Sequence, residues 1–149
     1  MISLREQLKQ DEGSSVVNNR HQLYTDGVGK MTIGWGRNLS DRGLSHDEAE
    51  FLLENDIAAV VRELNAAKPA LMTNDSLSHE RKDALYNMAF NLGIPKLLEF
   101  KKMWAALENH DYATAAKEAL NSRWATQVRA RAERIVTTLR GDHPHVQAP

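Results

Sequence analysis

Apolar residues along the chain recur mostly at helical spacing. Ser3 with Glu6 three residues on forms a capping-box pattern, and Leu4 and Leu8 share one face after it. A helix is predicted over 4–11, ended by Gly13. Ser45 and Glu48 repeat the capping pattern. After them Leu52, Leu53, Ile57, Val60, Val61 and Leu64 recur as one stripe, predicting a long helix over 46–67, stopped by Pro69. Residues 70–77 read as a connection. Ser78 and Gly93 bracket a helix over 79–92, whose second half (Ala84, Leu85, Met88, Ala89, Phe90, Leu92) is nearly all apolar, as in a central buried helix. Shorter helices follow over about 96–99, 101–109 and 112–121, with Asp111 capping the last of these. Residues 122–127 contain Trp124, and a final helix covers 129–140 before Gly141. Residues 142–149 read as a frayed tail.

A different period occupies one stretch near the N-terminus. Residues 14–20 read as a loop anchored by Val16 and Val17, with a turn at Asn18-Asn19. Residues 21–25 alternate weakly. Asp26-Gly27 then gives a hairpin signal. Residues 30–35 alternate well, with Met31, Ile33 and Trp35 on one side and Thr32 and Gly34 on the other. Gly34 and Gly36 leave one face of that strand bare, as a closely approaching ligand or backbone requires. The fold class is therefore α+β and mostly helical, with a small antiparallel hairpin sheet near the N-terminus.

Composition narrows the classes. A chain of 149 residues, 42% apolar and 26% charged, suits one domain or one domain with two lobes. The net charge of −1 makes no global case for nucleic acid. Residues 101–149 are mildly basic, with 8 cations against 5 anions, and no nucleic-acid module accompanies them. There is no cysteine, hence no disulfide. The N-terminal residues lack the apolar core of a secretory signal, and no run approaches a membrane span. The expectation is a cytoplasmic monomer without a membrane anchor. No cofactor and no metal site are expected. His79-Glu80 begins a zinc-protease pattern that fails at Asp83, and His143 and His145 are two tail histidines around a proline.

Two carboxylates stand out. Glu12 ends the first helix, and Asp26 sits in the glycine-rich turn, with the hydroxyl of Thr32 following. Cleaving a glycosidic bond needs an acid for the leaving oxygen and a carboxylate that activates water or stabilises the oxocarbenium-like transition state. The two must differ in ionisation at one pH. A glutamate beside core residues suits the first role, and an aspartate in a wet turn the second. Each residue also has an ordinary reading: glutamates end many helices, and Asp-Gly turns many hairpins.

The motif D-E-G at 11–13, followed by Y-T-D-G-V-G-K-M-T-I-G-W-G at 24–36, resembles the active-site signature of the T-even phage lysozyme family. N-M-A-F-N-L-G at 87–93, S-R-W at 122–124, R-A-E-R at 131–134 and T-T-L-R at 137–140 resemble later family segments in the same order. The resemblance covers about 4–141. It implies a lysozyme-like fold with a hairpin lobe over about 12–45, a connecting helix over 46–67, and a helical lobe over about 70–141 joined by helix 4–11. It implies Glu12 as general acid, Asp26 as the group that holds or activates water, and Thr32 as a positioner of that water. It places Arg131 near Glu12 as its support, although a cation there favours the carboxylate over the acid. Phe90, Asn91, Ser122 and Arg123 become candidate sugar contacts. Large aromatics at helical spacing usually pack, so Phe90 and Trp124 are also expected in the core.

Two departures from the family pattern matter. Thirteen residues separate Glu12 from Asp26, more than in the best-known member. The excess, around 14–20, either bulges harmlessly or resets the carboxylate spacing, and with it the inverting outcome usual for the family. Arg37 stands where that member has a histidine, which points to stability rather than catalysis. The resemblance implies hydrolysis of the β-1,4 bond between N-acetylmuramic acid and N-acetylglucosamine in bacterial peptidoglycan. With no export signal, a phage endolysin waiting in the host cytoplasm for a separate membrane lesion is the expected setting. A lytic transglycosylase and an inactive glycan-binding module are the alternatives.

Overall fold

The computed structural model describes residues 1–141. The order of elements is α1 (Leu4–Glu12), β1 (Val16–Val17), β2 (Arg20–His21), β3 (Tyr24–Thr25), β4 (Met31–Ile33), β5 (Arg37–Asn38), α2 (Leu39–Arg42) and α3 (His46–Ala67). Then come α4 (Pro69–Met72), α5 (His79–Leu92), α6 (Ile94–Leu98), α7 (Lys101–Glu108), α8 (Tyr112–Leu120), α9 (Arg123–Gln127) and α10 (Arg129–Arg140). The fold is α+β and mostly helical, as the hydrophobic pattern predicts. The chain divides into two compact units, Met1–Leu52 and Leu53 onward, with the boundary inside α3.

The helix limits follow their caps. Ser3 Oγ accepts from the amide of Glu6 at 3.2 Å, and Ser78 Oγ from that of Arg81 at 3.2 Å. Ser45 and Glu48 form the reciprocal pair of a capping box, Glu48 N to Ser45 Oγ at 3.1 Å and Ser45 N to Glu48 Oε1 at 2.8 Å. These bonds satisfy amides that have no partner within the helix. The helices over 46–67, 79–92 and 129–140 have the limits read from sequence.

The second unit holds the core. Leu64, Leu85, Met88, Leu97, Met103 and Leu107 are sealed from solvent, as are Ile135 and Leu139 near the end of α10. Helix α5 buries Ala84, Leu85, Met88 and Ala89, the face its apolar half predicts. Several elements depart from the sequence reading in this unit: α6 begins at Ile94 and not near 96, and 123–127 form a helix of their own. Residues 70–77 are not all connection, because α4 occupies Pro69–Met72 and buries Leu71 and Met72. Proline at the first position of α4 starts that helix as well as ending α3. The apolar stripe of α3 is largely exposed: among the α3 residues only Leu64 is buried.

The first unit is built differently. Thr32 is its only buried residue, and helix α1 buries none. Two small antiparallel sheets form it. One pairs β1 with β2, and the other has the order β3-β4-β5. Residues 14–20 are therefore not an irregular loop but most of a hairpin. Asn18 and Asn19 both have positive φ, 50° and 61°, the requirement of the two-residue turn that matches strand twist. The predicted strand over 30–35 is shorter, because Gly34 and Gly36 adopt φ of 66° and 82° and turn the chain after Ile33. Trp35 thus lies in a turn and not on a strand face. Helix α2 is an element the apolar pattern does not predict. Asn38 caps it, with Oδ1 accepting from Asp41 N at 3.0 Å.

Candidate active site

Glu12 is the last residue of α1, and Gly13 closes the helix with φ 66°. The glutamate is exposed, not embedded among core side chains as the sequence reading supposes. Its carboxyl group lies against the Gly34–Gly36 turn. A methyl placed on Gly36 would sit 3.0 Å from Glu12 Oε2 and 3.1 Å from its carboxyl carbon. Any side chain there would displace the carboxyl group. One helical turn earlier, the Lys9 ammonium stands 4.5 Å from the centre of the Trp35 ring. Helix α1 therefore meets the same turn twice, at positions three apart on one face.

Asp26 is fixed by its own backbone. Its Oδ1 accepts from the amides of Val28 at 3.0 Å and Lys30 at 2.8 Å, and its own amide donates to Lys30 O at 2.9 Å. The turn is thus a wider Asp26–Lys30 loop, not a two-residue Asp-Gly hairpin. Gly29, with φ 85°, supplies the left-handed residue that turns the backbone back toward Lys30. One carboxylate oxygen is held by two amides, and the other has no hydrogen bond to protein among the described residues.

Thr32 is buried in the middle strand of its sheet, and its hydroxyl donates to Lys30 O at 3.0 Å. Strand register pairs Tyr24 with Thr32 and Thr25 with Met31. Asp26 follows Tyr24 by two residues, so alternation puts it on the Thr32 side of the hairpin. Thr32 is enclosed, whereas Met31 before it on the strand is 39% exposed.

The long span from Glu12 to Asp26 closes on itself. The amide of Gln22 donates to Ser15 O at 2.7 Å, and Val16 pairs with His21 and Val17 with Arg20. The chain leaves at Ser15 and returns at Gln22, one hydrogen bond away. The added residues therefore form a side excursion and do not lengthen the path between the two carboxylates by their own contour.

The remaining candidates lie in the second unit. Arg131 donates through Nε to Asn87 Oδ1 at 2.9 Å and through Nη2 to Asn87 O at 3.4 Å. Phe90 and Arg131 line one groove of about 410 Å³ with Leu53, Ile57 and Tyr86. Ser122 and Arg123 line another with Lys96, Phe100 and Trp124. Trp124 is buried, as a packed aromatic should be, and its indole donates to Asn91 Oδ1 at 2.7 Å. Phe90 is not: it is 43% exposed. Ser122 caps α9, its hydroxyl accepting from Ala125 N at 3.2 Å and donating to Ala119 O at 2.7 Å.

Arg37 pairs with Glu48 at 2.5 Å. The guanidinium, helped by the capping bonds from Ser45, holds the Glu48 carboxyl down to about 2. This ties β5 to the start of α3 inside the first unit. The sequence reading missed His21, Lys9 and Asn87 as participants. Asn87 was visible as a polar residue in the apolar half of α5. For Lys9 and His21 the pattern gave no signal. His143 and His145 lie outside the described residues. Among the described residues no group of three His, Cys, Asp or Glu is placed to hold a metal, and no helix is long and apolar enough to cross a membrane.

The phage lysozyme family model matches residues 12–139, beginning at Glu12. The chain belongs to the phage lysozyme family. Its relatives include probable T4-type lysozyme 2 of Dictyostelium discoideum, 27% identical over 91% of this chain and 92% of that protein. Probable T4-type lysozyme 1 of the same organism is also 27% identical, over 92% and 93%. The pre-baseplate central spike protein Gp5 of Enterobacteria phage T4 is 26% identical over 90% of this chain, which spans only 27% of that protein. Phage lysozyme family members of this T4 type are glycoside hydrolases, and lysozyme-like hydrolysis of peptidoglycan is the activity class that membership gives.

Proposed function

We propose that the chain hydrolyses the β-1,4 bond between N-acetylmuramic acid and N-acetylglucosamine in bacterial peptidoglycan, with Glu12 and Asp26 as the working pair. The observation that carries this reading is the first unit itself. One carboxyl group ends a helix against a bare glycine, and a second is held by two amides on the Thr32 side of a hairpin. Glu12, protonated, gives its proton to the glycosidic oxygen as that bond breaks. Water adds to the anomeric carbon, and Asp26 takes the proton the water loses. The carboxylate of Asp26 also offsets the positive charge that builds on the sugar. Thr32, whose own proton goes to Lys30 O, keeps oxygen lone pairs free to accept from that water. Phe90, Asn91, Ser122 and Arg123 serve as sugar contacts.

Purified peptidoglycan tests the assignment. The wild-type chain should release reducing ends at muramic acid, while Glu12→Gln and Asp26→Asn should each lose at least about 100-fold in rate. Anhydro-muramyl ends in the product mass spectrum would instead indicate a lytic transglycosylase. Binding without any release of ends would indicate a glycan-binding module.

The biological setting we propose is that of an endolysin, held in the host cytoplasm until a separate membrane lesion admits it to the wall. Support comes from the phage family to which the chain belongs. Cells producing the chain in their cytoplasm should remain turbid until a permeabilising agent is added, then clear within minutes. Clearing without the agent would show that no separate lesion is needed.

A further inference from the structure

We infer that the β1–β2 hairpin, the departure from the family pattern, is a positioning device for Glu12, with His21 as its working residue. The inference rests on the reading of Glu12 as the acid. It starts from the turn at Gly34, Trp35 and Gly36. Both glycines have positive φ and no side chain, so only the Trp35 indole is available to anchor this turn by packing. The same turn carries the Gly36 surface on which the Glu12 carboxyl group rests.

The indole has two supports. Lys9 of α1 lies over its ring at 4.5 Å. His21 of β2 meets it edge to face, with centroids 4.6 Å apart and planes at 67°. Lys9 is a long side chain on the same helix as Glu12, so it adds no independent reference point. His21 does: it sits on a hairpin closed by the Gln22–Ser15 bond and the Asn18-Asn19 turn. The imidazole Nδ1 is buried and has no hydrogen-bond partner among the described residues. With Nδ1 turned inward and unpartnered, the ring meets Trp35 as a packing surface. A chain of contacts runs from hairpin to His21, to Trp35, to Gly36, and to the acid. A displacement of about 1 Å in a catalytic group is enough to cost two orders of magnitude in rate.

The test compares His21→Ala, His21→Phe and wild type in release of reducing ends from peptidoglycan, at limiting and saturating substrate. His21→Ala should lower kcat by about 10- to 100-fold and leave KM within about twofold. His21→Phe keeps a ring and should recover to within about threefold of wild type. The near-ultraviolet circular dichroism assigned to Trp35, by difference from Trp35→Phe, should weaken in His21→Ala and return in His21→Phe. Should His21→Ala fail to fold, His21→Gln carries the same comparison. A wild-type kcat in the ringless variant overturns the inference, and so does a Phe variant as slow as the ringless one. If Glu12→Gln is inert while His21→Ala is normal, this inference alone fails. If Glu12→Gln is fully active, the reading of the acid fails first.

Discussion

At the scale of single residues, Gly36 decides where Glu12 can be. Two requirements coincide there: a backbone with φ 82° and a surface with no Cβ under the carboxyl group. Gly36→Ala should therefore carry two separable costs. The left-handed backbone costs about 1–2 kcal/mol of stability, seen as a lower midpoint in urea. Displacement of Glu12 should cut the rate of glycan cleavage by far more than that loss of stability explains. Gly34→Ala is the control. It has a similar φ of 66°, but nothing lies within 4 Å of its would-be methyl. It should lose the same stability and keep more of the activity.

The Arg37–Glu48 pair yields a prediction in pH. Glu48 has its carboxyl group held at about 2 in the folded chain, against an ordinary value of 4.5. The folded state thus binds fewer protons than the unfolded state between those values. The stability this supplies is fully present above about pH 4.5 and is lost as pH falls toward 2. Glu48→Gln should be less stable than wild type at neutral pH. Its melting temperature should also fall less steeply over that acid window. Parallel profiles for the two proteins would show that the pair does not couple to folding.

At the scale of elements, capping accounts for how well the helices can be read. Ser3, Ser45, Ser78 and Asp111 each cap the helix that the pattern predicts, through a bond to the amide three residues on. Ser78→Ala should cost about 1 kcal/mol, read in equilibrium unfolding. The strands were harder to read because each spans only two or three residues, too short for a period to register. Their positions follow from turn chemistry. Asn18-Asn19 was legible as a turn, but not that the strands flanking it pair. Glycine at position 19 relieves an asparagine of φ 61°, so Asn19→Gly should stabilise the hairpin by about 0.5–1 kcal/mol.

At the scale of the whole molecule, the two units differ in kind. Among the described residues all the buried hydrophobic side chains belong to the second, and the first is held by turns, caps and ion pairs. Leu85→Ala should cost about 2–5 kcal/mol, whereas Val16→Ala, already 49% exposed in the first unit, should cost less than about 0.5 kcal/mol. Native-state hydrogen exchange should show amides of α5 and α10 opening only with global unfolding, and those of β1–β5 opening well below that limit. Equal protection in both units would contradict this division.

By itself the sequence determined the longer helices, 46–67, 79–92 and 129–140, with their limits, and which carboxylates sit beside glycine. Those features are local: an apolar face repeats every three or four residues, and a serine caps the amides that follow it. The order of motifs from Glu12 to Arg140 also carried the family. Only the tertiary structure decided that Gly36 lies under Glu12, that His21 packs on Trp35, and that the long span to Asp26 closes at Ser15 and Gln22. Each is a contact between segments whose own patterns do not refer to one another. Pairings of that kind are set by which surfaces meet after the chain has folded, and no local period encodes them.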